Sequence, residues 1–76
     1  MDSNAQIPAH VQRVIDECNE VVDRAAKLDT FIGEDAIFNT LDPIDQDLLC
    51  VQHMAIETYV GILRMRLKRA GVDLAT

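Results

Sequence analysis

The sequence predicts an all-α protein, an antiparallel hairpin of two long helices that assembles with further copies into a homo-oligomeric helical bundle. In both halves of the 76-residue chain, apolar residues recur at alternating spacings of three and four. This is the periodicity of a helix face that packs on another helix. Between the halves lies a short connection, from Gly33 to Asp42, that carries residues typical of helix ends. A connection of that length joins two helices in antiparallel orientation.

The first helix is predicted to start at Pro8, which suits the first turn of a helix, and to stop at Gly33, which suits the residue just past one. Its apolar line is Val11, Val14, Cys18, Val21, Ala25, Leu28 and Ile32. Oppositely charged pairs four residues apart support the helix: Arg13–Glu17, Glu20–Arg24 and Asp23–Lys27.

The connection holds three large apolar residues, Ile37, Phe38 and Leu41. They indicate one or two helical turns packed on the closed end of the hairpin. A plain loop with a single hydrophobic plug explains them equally well.

The second helix is predicted to start at Asp42-Pro43, as a side-chain cap followed by proline in the first turn, and to stop at Gly71. Two apolar stripes run along it, one of them displaced by one position. The first is Ile44, Leu48, Val51, Ala55, Thr58, Ile62 and Met65, and the second is Leu49, Ile56, Leu63 and Ala70, widened by Val60 and Leu67. One neighbouring helix cannot cover so broad an arc, so the sequence predicts self-association, as a tetramer or hexamer.

The chain is predicted to be one small domain, residues 8–71, between a disordered lead-in (1–7) and a short tail (72–76). A chain of this size buries only about 60% of its unfolded surface, so it needs further stabilisation. In the antiparallel hairpin Cys18 would lie opposite about Thr58 and Cys50 opposite about Ala26. A disulfide between the two cysteines is therefore geometrically poor, and we interpret both as buried, reduced thiols. Oligomerisation is then the remaining source of stability.

No signal peptide and no membrane-length apolar run is found in the sequence, which predicts a cytoplasmic protein without a membrane partner. Catalytic motifs, a phosphate-binding glycine loop and a metal-ligand cluster are also missing, so we expect no enzymatic activity, no cofactor and no metal. His53 and Glu57 have metal-ligand spacing but stand alone, and a solvent-facing hydrogen bond explains them better.

The positive charge is concentrated at the end of the second helix. Residues 1–63 carry three basic and twelve acidic groups (net −9), and residues 64–76 carry four basic and one acidic group (net +3). The antiparallel hairpin returns Arg64 and Arg66 to the start of the first helix, beside His10 and Arg13, where free N–H groups favour an anion. Compensation of the helix dipole explains Lys68 and Arg69 without any ligand.

Gln52, Tyr59 and Arg66 are spaced by seven and so lie on one line of the second helix. An amide, a phenol ring and a guanidinium fork suit a nucleotide base and its phosphate. The same residues also suit the polar rim of a helix–helix interface. The acidic balance of residues 1–63 argues against a nucleic-acid polymer as partner.

Three stretches of the chain resemble a family of short proteins of tailed bacteriophages, related to a crAss-like phage protein. The stretches are Pro8-x-His10-x-Gln12-Arg13-Val14, Phe38-x-x-Leu41-Asp42 with Asp45-Gln46, and Gln52-x-x-Ala55-Ile56-x-x-Tyr59-x-x-Ile62-Leu63-x-x-Arg66-Leu67. The chain departs from that pattern at Cys18, where the family has Lys, and at Ile56, where Met is usual.

The resemblance implies a phage accessory protein made in the cytoplasm of the infected bacterium. In size and architecture the chain is similar to phage inhibitors of CBASS and Thoeris immunity, which sequester nucleotide signals without cleaving them. Together with the cationic end of the hairpin, this similarity predicts a sponge for a cyclic oligonucleotide or an ADP-ribose-type nucleotide. Its phosphates would lie against His10, Arg13, Arg64 and Arg66, and its base or ribose against Gln52 and Tyr59. The alternative is a protein-binding module that docks its apolar face on a host or phage protein.

Overall fold

The computed structural model describes residues 7–72, and within them the protein is entirely helical. Helix α1 spans Ala9–Glu34, a single 3₁₀ turn spans Phe38–Thr40, and helix α2 spans Pro43–Arg69. The two long helices, each about 40 Å at 1.5 Å per residue, pack against each other as a hairpin. No strand occurs in this range, so the predicted helical hairpin is confirmed.

The core is a single seam between α1 and α2. Its buried residues are Val11, Cys18, Val21 and Ala25 from α1 and Val60, Leu63 and Leu67 from α2. The α1 residues belong to the predicted apolar line. Of the α2 residues, Leu63 belongs to the second stripe, and Val60 and Leu67 are the residues that widen it. The apolar pattern therefore predicted the face of α1 that meets α2.

The first stripe of α2 lies on the side away from α1 and is exposed. Ile44, Leu48, Val51 and Met65 are between 59% and 70% exposed, and Ile62 is 49% exposed. We call this surface, from Ile44 to Met65, the outer stripe. Of the two stripes recognised in the sequence, one builds the hairpin and the other has no neighbour within residues 7–72.

The closed end of the hairpin is held by the 3₁₀ turn. Phe38 is buried in it and packs on Phe31 of α1, whereas Ile37 is exposed. The Nε2 atom of Gln46 in α2 donates hydrogen bonds to the carbonyl oxygens of Phe38 and Leu41, at 2.9 and 3.1 Å. The connection thus combines the two interpretations: it has one helical turn and one aromatic plug.

The predicted start of α2 is confirmed, because Asp42 Oδ1 accepts a hydrogen bond from Ile44 N at 2.8 Å and Pro43 is the first helical residue. The end of α2 is also confirmed. Gly71 has a φ of 85°, and Gly71 N and Val72 N donate to the carbonyl oxygens of Lys68 and Leu67. This is the paired bonding of a Schellman motif, which satisfies carbonyls of the last helical turn.

The predicted limits of α1 are wrong by a residue or two. Helix α1 continues through Gly33 to Glu34, because Asp35 caps it with an ordinary extended backbone and no left-handed residue is needed there. The Oδ1 atom of Asp35 then accepts from Ile37 N at 2.8 Å, which turns the chain without glycine. At the other end Pro8 is the cap, and Ala9 is the first helical residue.

Two further expectations concern the cysteines and the termini. Both cysteines are free, and Cys18 is buried as expected, but Cys50 is exposed because it lies on a side of α2 that no element covers. The disordered lead-in was predicted for residues 1–7 and the tail for residues 72–76, and all of these except Ile7 and Val72 lie outside the described residues. Of the helices described here, none has the length and apolar content needed to span a membrane.

Candidate ligand-binding grooves

A shallow groove of about 270 Å³ lies at the open end of the hairpin, and we call it the end groove. Its cationic or titratable lining is His10 from the start of α1 with Arg66 and Arg69 from the end of α2. Val11, Val14 and Leu67 form an apolar floor. The antiparallel hairpin therefore brings His10 and Arg66 together, as the sequence predicted.

A second groove, of about 570 Å³, lies halfway along the hairpin, and we call it the middle groove. Gln52, Ile56 and Tyr59 line it from α2, and Val21, Arg24, Lys27 and Leu28 line it from α1. Tyr59 is 38% exposed, so part of its ring is accessible from this groove. An amide, a phenol ring and two cationic side chains thus share one concavity.

The two grooves open on the same side of the hairpin. On α2, Tyr59 of the middle groove and Arg66 of the end groove are seven residues apart, which keeps them on one helix face and about 10 Å apart along the axis. On α1, Val14 of the end groove is likewise seven residues from Val21 of the middle groove. One extended ligand, or two adjacent small ones, can therefore contact both grooves.

The grooves carry cationic groups that are free to bind an anion. Arg24, Arg66 and Arg69 make no ion pair with any carboxylate of residues 7–72. Lys27 is engaged with Asp23 at 3.0 Å, but that pair is highly exposed and therefore weak. The predicted pairs of Arg13 with Glu17 and of Arg24 with Glu20 do not form within this range.

The start of α1 adds a favourable backbone contribution to the end groove. Its first turn contains no acidic residue, and the cap residue Pro8 offers no side-chain hydrogen bond. The N–H groups of Ala9 and His10 therefore have no hydrogen-bond partner within residues 7–72, whereas Val11 N donates to the carbonyl oxygen of Pro8 at 3.0 Å. His10 lies in this turn and lines the groove, so backbone and side-chain contributions act at the same place.

One acidic side chain opposes an anion on this side of the hairpin. Glu17 is half-buried on α1, seven residues after His10 and seven before Arg24. It therefore lies on the line that connects the end groove with the middle groove. Its carboxylate limits how much negative charge a ligand can place between the two grooves.

The structure separates two of the predicted site residues from the others. Arg64 lines a groove on the opposite side of the hairpin, of about 360 Å³, together with Asp29, His53 and Glu57. There His53 Nε2 lies 3.6 Å from a Glu57 carboxylate oxygen and 3.7 Å from one of Asp29. Arg13 is exposed and lines neither the end groove nor the middle groove.

Three cationic residues of the grooves were not among the predicted site residues: Arg24, Lys27 and Arg69. The hairpin register that places Cys18 opposite Thr58 also places Arg24 level with Gln52. That register indicates Arg24 as a neighbour of Gln52, which the spacing along α2 alone does not. Arg69 was assigned to dipole compensation alone, although it also lines the end groove.

The chemistry of the two grooves suits reversible binding. Cationic side chains with free hydrogen-bond donors are suited to bind phosphate oxygens. An aromatic ring beside an amide is suited to bind a planar polar group such as a nucleotide base. Among residues 7–72 no group of three His, Cys, Asp or Glu side chains is placed to hold a metal ion.

Comparison with known proteins gives a family match over this same hairpin. The model of the family described as Sequestin matches residues 8–69, which include both helices and all lining residues of the middle groove. No curated protein and no solved structure matches the chain significantly.

Proposed function

The chain belongs to the Sequestin family, and from that premise we propose that it binds and sequesters a nucleotide second messenger of bacterial immunity without cleaving it. The family name points to sequestration, and the residues that line the two grooves support this proposal. The ligand class is a cyclic oligonucleotide or an ADP-ribose-type signalling nucleotide, which joins flat bases to phosphates.

The observation that carries the proposal is that a cationic groove adjoins an aromatic and amide groove on one side of the hairpin. Phosphates would bind at the end groove, against Arg66, Arg69 and His10. A base or ribose would contact Tyr59 and Gln52 in the middle groove, with Arg24 beside it. The axial separation of Tyr59 and Arg66, about 10 Å, suits a ligand with separate base and phosphate groups.

This arrangement also explains how an acidic protein could bind an anionic ligand. The chain carries a formal net charge of −6, so a dianionic ligand is repelled by most of its surface. At the end groove three cationic or titratable side chains and the start of α1 concentrate positive potential in one place. Arg64, which lies on the other side beside Glu57, is left out of the proposed site.

Sequestration requires only that binding be tight, because a signal held by the protein is withdrawn from its receptor. Both grooves are shallow, so preorganised walls contributed by neighbouring copies of the chain would strengthen binding. A self-assembled hairpin in the cytoplasm of an infected bacterium is therefore the proposed working form.

The proposal is tested by isothermal calorimetry of the full chain against cyclic dinucleotides, cyclic trinucleotides and ADP-ribose derivatives. We expect one class to bind, and we expect heat denaturation of the complex to release it chemically unchanged. No binding across the panel would refute nucleotide sequestration, and release of a cleaved product would refute sequestration without cleavage.

Arg66 and Arg64 provide a matched pair for locating the site. Both are exposed arginines of α2, two residues apart, and they line grooves on opposite sides. Arg66→Ala should weaken binding about tenfold to a hundredfold, the effect of losing a hydrogen bond between charged groups. Arg64→Ala should change the affinity by less than about threefold.

A further inference from the structure

The outer stripe of α2 is a continuous heptad seam without a partner in the hairpin. Ile44, Leu48, Val51, Ala55, Thr58, Ile62 and Met65 follow one another at alternating spacings of four and three. The residues of α2 that contact α1 lie on its opposite side. The stripe is therefore available along the whole helix, which is about 40 Å long.

We propose that this stripe binds a second copy of the same chain, with the two α2 helices antiparallel. The proposal rests on the charges that flank the stripe and on its area. Arg66 is one of these charges and also lines the end groove, so the tests below use no ligand and leave Arg66 unchanged.

The flanking charges favour the antiparallel orientation. Asp45 and Asp47 border the stripe at the start of α2, and Arg66 and Lys68 border it at the end. In an antiparallel pair centred between Ala55 and Thr58, Asp45 faces Arg66 of the second copy on one edge, and Asp47 faces Lys68 of the second copy on the other. In a parallel pair the acidic ends meet each other and so do the basic ends.

These four side chains have no competing partner in the hairpin itself. All are exposed, and none forms an ion pair with another residue of the range 7–72. Dipole compensation accounts for acidic groups at the start of a helix and basic groups at its end. Dipole compensation does not explain why these charged groups lie along both edges of the apolar stripe, as they do here.

The apolar layers are matched in size by the same pairing. Leu48 lies opposite Met65 of the second copy, and Val51 opposite Ile62 of the second copy. At the centre Ala55 meets Thr58 of the second copy, so two small side chains allow the helix axes to approach closely. At each end of the seam Ile44 lies opposite Arg69 of the second copy, whose aliphatic stem can cover it.

The area of the stripe is that of a small stable interface. Five large side chains of the stripe (Ile44, Leu48, Val51, Ile62 and Met65) and Met54 at its edge are each 49–70% exposed. At about 100 Å² per side chain of this type, they bury about 600 Å² per copy and about 1,200 Å² in total. That total is at the lower end of the range for specific protein–protein interfaces.

The pairing would bring the ligand grooves of the two copies together. Gln52, Tyr59 and Arg66 run along one edge of the outer stripe, so each lies beside the second copy. Tyr59 of one copy is then level with Gln52 of the other. The second copy thereby forms a wall for the middle groove, which is open on the hairpin alone.

The first test is the mass of the full-length protein without added ligand, by light scattering or sedimentation. We expect a dimer or an even-numbered multiple of it. Val51→Glu should give monomers that retain their helical circular dichroism. The matched control is Ile37→Glu, because Ile37 has the same 59% exposure but lies in the connection, and it should keep the wild-type mass.

The second test determines the orientation by cysteine cross-linking in a Cys50→Ser background, which removes the exposed native thiol. Proteins carrying Val51→Cys or Ile62→Cys are mixed and oxidised. An antiparallel pair should give the mixed disulfide, because those two positions face each other. A disulfide between two copies of the Val51→Cys protein would indicate the parallel pair and overturn the orientation.

A wild-type protein that stays monomeric would overturn the proposal, and the stripe would then be free for a different protein. An oligomer whose mass is unaffected by Val51→Glu would overturn it too, since its interface lies elsewhere. Because these readouts need no ligand, failure of nucleotide binding would leave them unchanged.

Discussion

The rings of Phe31 and Phe38 meet edge to face, with centroids 6.0 Å apart and planes at 89°. Phe31 belongs to the last turns of α1, and Phe38 begins the 3₁₀ turn that leads to α2. This contact fixes the closed end of a hairpin whose remaining core is a single seam of aliphatic side chains and one thiol. Because this core contains few buried side chains, each contact at the turn contributes a large share of the stability.

Replacement of Phe38 by alanine should lower the free energy of unfolding by about 3 kcal/mol or more, because it removes a buried ring and its aromatic partner. Urea unfolding at a fixed protein concentration measures the loss. Ile37→Ala is the control: the side chain is adjacent but 59% exposed, and its removal should cost less than about 1 kcal/mol. Equal losses at the two positions would contradict the role assigned to the ring.

Gln46 ties α2 to the connection through two hydrogen bonds from one amide nitrogen. Gln46→Glu keeps the size of the side chain but replaces the donor by an acceptor facing two carbonyl oxygens. We expect a loss of about 1–3 kcal/mol at neutral pH, measured by urea unfolding. Gln52→Glu, at an exposed position of the same helix, should cost less than about 0.5 kcal/mol.

Gly33 and Gly71 both lie near the end of a helix, and their replacement by alanine should change the stability of the protein in opposite directions. Gly71 has a φ of 85°, so Gly71→Ala should destabilise the protein by about 1 kcal/mol. Gly33 lies inside the last turn of α1, with open space where a Cβ would be placed, so Gly33→Ala should stabilise by about 0.5–1 kcal/mol. Thermal unfolding of the two variants beside the wild type distinguishes the signs. A destabilised Gly33→Ala variant would mean that Gly33 ends the helix after all.

The sequence predicted the helix ends correctly where the residues that determine them are adjacent in the chain. The start of α2 at Asp42 and its end at Gly71 were predicted because the capping chemistry is contained in adjacent residues. The end of α1 was missed because two local solutions compete there. Gly33 allows a left-handed ending, but Asp35 supplies a cap and a side-chain hydrogen bond two residues later.

The positions of the candidate residues were predicted more accurately along each helix than between the two helices. The line of Gln52, Tyr59 and Arg66 follows from a spacing of seven, and its meeting with His10 follows from antiparallel pairing. Arg64 was grouped with Arg66 because the two are adjacent in sequence, but a separation of two residues turns a helical side chain by about 200°. The broad apolar arc of α2 was recognised, yet periodicity alone did not indicate which of its stripes faces α1.

Glu17 provides a last test of the side of the hairpin on which an anion binds. It is half-buried between the end groove and the middle groove, and no ion pair within residues 7–72 neutralises it. Removal of its charge by Glu17→Gln should therefore tighten binding of a nucleotide about twofold to tenfold, with a smaller gain at high salt. Calorimetry at two ionic strengths measures both effects. Glu34→Gln makes the same change of charge at an exposed position at the far end of α1 that lines neither groove, and it should alter the affinity by less than about twofold. An equal gain from the two variants would show that only the net charge of the protein matters, and it would remove the electrostatic argument for these grooves.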